Sequence, residues 1–107
     1  MISELVMFAL PAGITREEVI AGMHEVAPHW RRNPDLVRKT FLYDAAAGEA
    51  GALYLWSERA AAERAHDADW RARLLARYGS EPTIRYFETP LVVDNALGAV
   101  INTEGAS

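Results

Sequence analysis

Two short runs constrain this chain more than any other feature. Residues 2–10 (ISELVMFAL) and 50–56 (AGALYLW) have the length and residue types of β-strands, and both carry apolar residues on both faces. In the first, Val6, Phe8 and Leu10 alternate with Leu5, Met7 and Ala9. In the second, Leu53 and Leu55 alternate with Tyr54 and Trp56. A sheet with helices on one side and water on the other alternates apolar with polar. These two strands therefore predict a sheet covered on both sides.

The segments around them supply one cover. Pro11 and Gly13 end the first run, and Thr15 with Glu18 three positions on forms a capping box that starts a helix near Arg16. Val19, Met23, Val26 and Trp30 fall on one stripe of it, and Pro28 is expected to kink or end it between Ala27 and Trp30. After the turn Asn33-Pro34-Asp35, residues 36–43 read as a strand with Val37, Lys39, Phe41 and Tyr43 on one side, paired in a hairpin with 50–56. Ser57 is the expected N-cap of a second helix, with Asp67-Ala68-Asp69 a candidate interruption. Trp70, Leu74 and Tyr78 then form a stripe that Gly79 stops. Residues 83–89 make a fourth strand between Pro82 and Pro90, and residues 91–107 show no clear period. The order β-α-β-β-α-β predicts an α+β, ferredoxin-like antiparallel sheet with two helices on one face. The simplest cover for the other face is the same sheet of a second subunit, so a homodimer is expected.

Composition narrows the function. The 107 residues, half of them hydrophobic, suit one folded domain. The net charge is −4, and acidic residues are interspersed among the arginines, which argues against a nucleic-acid or acidic-lipid partner. Without cysteine there can be no disulfide, thiolate metal site or Cys nucleophile. The opening apolar run is too short to span a bilayer and has Glu4 where a signal peptide would be basic, so a cytoplasmic protein away from membranes is expected. His24 and His29 are five apart and do not share a helix face, and no other cluster has ligand spacing, so no metal is expected. Gly48-x-x-Gly51 reads as a hairpin turn rather than a phosphate loop, and no nucleophile elbow or dinucleotide fingerprint occurs.

The stretch from Pro34 through Lys39 to Glu49-Ala50-Gly51-x-x-Tyr54-Leu55, with aromatics at 41 and 56, resembles the YdhR-like family of the dimeric α/β-barrel superfamily, as does Phe87-Glu88-x-Pro90-Leu91 ending at Asn95. The resemblance covers residues 2–95 and leaves 96–107 as a C-terminal extension. It implies a pocket between each sheet and its own helices. Its superfamily includes cofactor-free mono-oxygenases of aromatic polyketides, haem-degrading enzymes, muconolactone-type isomerases and polyketide cyclases, among which fold does not choose.

Several residues are candidates for that pocket. His66, near the end of the first part of the second helix, falls where several superfamily enzymes place a functional His. It would share a face with Trp70 if the helix continued, and a neutral imidazole there could accept a phenolic or enolic proton. Its alternative is a helix-end His facing water. Lys39, among bulky apolar neighbours, could hold an oxyanion, or could snorkel to Glu49 or Glu88. Tyr54 is a base by default, although it and Trp56 suit packing better. Trp30, Tyr43, Trp56, Trp70 and His29 are candidate walls for a small hydrophobic or aromatic molecule.

The leading expectation is a mono-oxygenase with no metal or organic cofactor, in which the substrate carbanion itself reduces oxygen. An isomerase or cyclase would use the same groups, and a stress-associated ligand-binding protein would use the pocket without chemistry. Haem handling, with His29 or His66 as axial ligand, is a further alternative.

Overall fold

The computed structural model describes residues 1–103. Its elements are β1 (Ile2–Ala9), α1 (Arg16–Arg31), β2 (Leu36–Asp44), β3 (Glu49–Trp56), α2 (Arg59–Ala65), α3 (Ala68–Tyr78), β4 (Thr83–Glu88), β5 (Leu91–Asp94) and β6 (Ala99–Asn102). The first four long strands form an antiparallel sheet in the order β2-β3-β1-β4, with β1 and β3 at its centre. This is the ferredoxin-like α+β arrangement that the element order predicts. No helix among the described residues is long and apolar enough to cross a membrane.

Local chemistry explains most boundaries. Thr15 caps α1 by accepting a hydrogen bond from the Glu18 amide at 3.1 Å, and its hydroxyl donates to the Glu18 carboxylate at 3.2 Å. Asp67 caps α3 in the same way, accepting from the Trp70 amide at 2.9 Å. Gly79 ends α3 in the left-handed conformation, φ 75°, where a side chain would be strained.

Three expectations are corrected. Pro28 neither ends nor interrupts α1, which runs to Arg31. One lost hydrogen bond is offset because continuation buries Trp30 to 6 % exposure against the core. Glu58, not Ser57, is the N-cap of α2, and its side chain makes no capping bond. Val37 leaves the inner face of the sheet. Leu36 opposes Trp56 and Arg38 opposes Leu55, so a bulge skips Val37 and brings Leu36 inward in its place. The segment after β4, which shows no clear period in the sequence, forms the β5–β6 hairpin, and residues 104–107 of the C-terminal extension lie outside the described residues. Arg38 on β2 ion-pairs with the buried Asp94 of this hairpin, and Asp94 also accepts the Leu97 amide of the turn at 3.0 Å.

The register decides what faces the helices. Glu4, Tyr54 and Lys39 lie in one cross-strand row, Val6, Ala52 and Phe41 in the next, and Ile2, Trp56 and Leu36 at the end. On these inner rows Val6, Ala52, Tyr54 and Trp56 form the core cluster together with Trp30 of α1 and Ala61 and Ala62 of α2. The outer face carries Leu5, Met7, Leu42 and Leu53, of which Leu53 is 43 % exposed, with Phe87 at its edge 40 % exposed. Gly51 is required by the closeness of β1 and β3, since a Cβ there would come 1.9 Å from the Val6 carbonyl oxygen.

Candidate active site

Between the inner face of the sheet and helices α1 and α3 lies a cavity of about 560 Å³, well within the range of small-molecule sites. Small residues make the space. Ala50, Gly51 and Ala52 floor it on β3, and Gly22 on α1 lets the Tyr78 hydroxyl come to where a Cβ would clash at 2.8 Å. The stripe Trp70, Leu74 and Tyr78 of α3 forms one wall, with Tyr78 packed on Phe8 at 4.8 Å between ring centroids.

Lys39 is the charged group at the centre of the aromatic wall. Its Nζ lies 4.2 Å from the centroid of Trp30, 4.1 Å from Phe41 and 4.8 Å from Tyr54. It pairs with neither Glu49 nor Glu88, which sit opposite Ala9 and Ile2 on β1. Burial pulls its ammonium down from 10.5 to about 7, against the opposing pull of the Glu4 carboxylate. The same burial, with Glu4 adding to it, pushes the Tyr54 phenol well above its ordinary value, so Tyr54 stays protonated. Basic side chains line the cavity too, those of Lys39, Arg73, Arg77 and His29, and none of the described Asp or Glu residues does. Arg77 is engaged by Glu25 at 2.8 Å.

Behind the aromatic wall is a buried polar cluster centred on Glu4, which is fully buried. Its carboxylate accepts the Trp56 indole N–H at 2.9 Å, and His66 Nδ1 lies 2.9 Å from both of its oxygens. Tyr86, opposite Glu4 on β4, has its phenol pushed up to about 12, by burial first and then by the Glu4 charge. The His66 ring is enclosed by Trp70 at 4.3 Å, Tyr54 at 4.7 Å and Trp30 at 5.4 Å, and its Nε2 has no hydrogen-bond partner among the described residues.

The candidates thus separate into two layers. Lys39, Tyr54, Trp30, Trp70 and His29 line the cavity. His66, Trp56 and Tyr43 do not, and the His66 side chain is wholly inaccessible. His66 is the C-cap of α2 rather than part of a continuous helix, so its contact with Trp70 arises across the break at Asp67 instead of along one helix face. Glu4 is the site-adjacent residue that sequence reasoning missed. The signal was present: by alternation a lone carboxylate sits on the Val6 and Phe8 side of an apolar strand. Among the described residues no group of three or more His, Asp or Glu is placed to hold a metal ion.

No protein-family model matches the chain, and no curated protein matches it in sequence. Solved structures do match in shape. SnoaB, a cofactor-independent oxygenase from Streptomyces nogalater seen as a point mutant, superposes with a TM-score of 0.61 at 20% identity, covering 82% of this chain and 91% of that one. An antibiotic biosynthesis monooxygenase gives 0.64 at 15% identity over 83% and 98%. Rv0793 from Mycobacterium tuberculosis gives 0.60 at 13% over 83% and 95%. At these identities the likeness is one of fold: the chain has the fold of antibiotic biosynthesis monooxygenase-like proteins.

Proposed function

We propose that this protein is a cofactor-independent mono-oxygenase of a small planar aromatic or enolisable substrate, standing with the YdhR-like proteins within that fold. The observation that carries the reading is the Lys39 amine, without an ion-pair partner among the described residues, set among three aromatic rings in a cavity whose described lining holds no carboxylate. An amine titrating near neutral pH suits two successive tasks. As the free base it takes the proton of a phenol or enol, and as the resulting ammonium it stays beside the oxyanion it has created. The substrate carbanion then reduces oxygen directly, while Trp30, Tyr54 and Trp70 hold the ring and keep water away. His66 does not touch substrate in this reading; with Glu4 it positions Tyr54, Trp30 and Trp70. The subunit works as a homodimer, its apolar outer sheet face covered by a second copy.

The sealing of His66 favours one second reading, a ligand-binding protein without chemistry. An oxygen electrode separates the two. Metal-stripped protein mixed with hydroquinones and anthrones should consume oxygen, and Lys39→Met should slow this by at least about tenfold. Tight binding of the same compounds with no oxygen uptake would overturn the oxygenase reading.

A further inference from the structure

Lys39 is the only lysine of the chain, against ten arginines. Every other side-chain cation is a guanidinium, which is always charged and cannot act as a nucleophile at neutral pH; the one amine side chain sits in the cavity. Its three ring neighbours offer no lone pair with the strength of a carboxylate, and among the described residues no hydrogen bond or ion pair holds its Nζ. Glu4, the carboxylate whose charge acts on this amine, is occupied by Trp56 and His66 behind the aromatic wall.

We infer that Lys39 is a carbonyl-capturing amine, forming a covalent imine with an aromatic aldehyde or ketone that carries an acidic group. The inference goes beyond the oxygenase reading. It uses the same amine but needs neither oxygen nor an ionised phenol.

The chemistry balances without any added oxidant or reductant. The Nζ lone pair forms a bond to the carbonyl carbon, and the carbonyl π pair moves to oxygen, which takes a proton from the nitrogen. The neutral carbinolamine then gains a proton from solvent on its hydroxyl, which leaves as water while the nitrogen lone pair forms the C=N bond of the iminium. Depression of the amine toward neutrality keeps a large share of it in the free-base form that such an addition requires. The groups that share its surroundings favour this outcome. Arg73 and Arg77 from α3 supply positive charge for the acidic substituent, Arg77 while also engaged by Glu25, and Tyr54 from β3 remains a phenol able to donate a hydrogen bond. Glu4 from β1 opposes the depression of the amine. The aromatic wall that surrounds the amine is equally suited to stack the captured ring.

The test is reductive trapping with 4-carboxybenzaldehyde and cyanoborohydride at pH 7, read by intact mass and peptide mapping. The chain has two amines, Lys39 and the α-amine of Met1, so each adduct is assignable. In an unstructured peptide the α-amine reacts before a lysine at this pH. In the folded protein Lys39 should be labelled at least about threefold faster than the α-amine, because at pH 7 an amine titrating at about 7 has the larger free-base share. The preference should reverse in urea. Lys39→Arg, which keeps the charge, should leave only the α-amine adduct, with its fold checked by circular dichroism. Labelling confined to the α-amine in folded wild-type protein, or a Lys39 rate no faster than in urea, would overturn the inference. Trapping without oxygen uptake would spare it while removing the oxygenase reading, and uptake without trapping would do the reverse.

Discussion

The Glu4 carboxylate and the His66 imidazole, 62 residues apart in sequence, meet at 2.9 Å with neither side chain reaching solvent. This contact ties the central strand β1 to the end of α2, where the chain breaks before α3. It also sets the depth of the aromatic wall, because the His66 ring is the surface on which Trp30, Tyr54 and Trp70 all rest. Removing the Glu4 carboxylate leaves the buried Trp56 indole N–H and His66 Nδ1 without their partner. Glu4→Ala should therefore lower stability by about 2–5 kcal/mol, measured by urea unfolding, with Glu4→Gln falling between it and the wild type. A loss below about 1 kcal/mol would mean that the pair contributes little.

The depressed Lys39 gives a signed dependence on pH. Its ammonium titrates at about 7 when folded and at 10.5 when exposed, so between these values the unfolded chain binds more protons. Stability then rises with pH across that window, and below it the cost of burying the ammonium is fully present. The difference in unfolding free energy between wild type and Lys39→Met should therefore shift in favour of the wild type from pH 7 to pH 10. Parallel curves across this range would show that Lys39 titrates normally.

How much of this could be read beforehand depends on the range of the interactions involved. Alternation and i, i+4 spacing are local, and they brought Lys39 and Tyr54 onto one sheet face and Trp70, Leu74 and Tyr78 onto one helix stripe. The bulge at Val37 breaks that alternation with no residue that announces it. Glu4 was visible as an anomaly in an apolar strand, but its partner is set by how the α2–α3 break packs against β1, which no local period encodes. For the same reason His66 was readable as pocket-adjacent but not as sealed. The β5–β6 strands, four residues each, are too short for a period to declare them.

A packing constraint yields a third prediction. Gly51→Ala would place a methyl 1.9 Å from the Val6 carbonyl oxygen and 2.7 Å from Met7 Sδ, at the centre of the β1–β3 ladder. The strands would have to separate, and we expect a loss of about 2–4 kcal/mol in urea unfolding. An unchanged midpoint would show that the sheet relaxes at that point.

The outer face gives a fourth. Leu53 lies in its middle, beside Leu5 on the paired strand, and is 43 % exposed in the single chain. If a second copy covers this face, Leu53→Glu buries an unpaired charge in the interface. Sedimentation should then show a dimer for wild type and a monomer for Leu53→Glu. A wild-type monomer at micromolar concentration would contradict the proposed assembly.

The most direct test of the central claim, that Lys39 ionises an aromatic hydroxyl in the cavity, is the absorbance spectrum of a chromophoric naphthol bound to the protein at pH 7.5. Free in solution such a hydroxyl keeps its proton, as phenols titrate at about 10. The account predicts the naphtholate spectrum on wild-type protein and the neutral spectrum on Lys39→Met. A neutral spectrum on both, with the naphthol demonstrably bound, would contradict it.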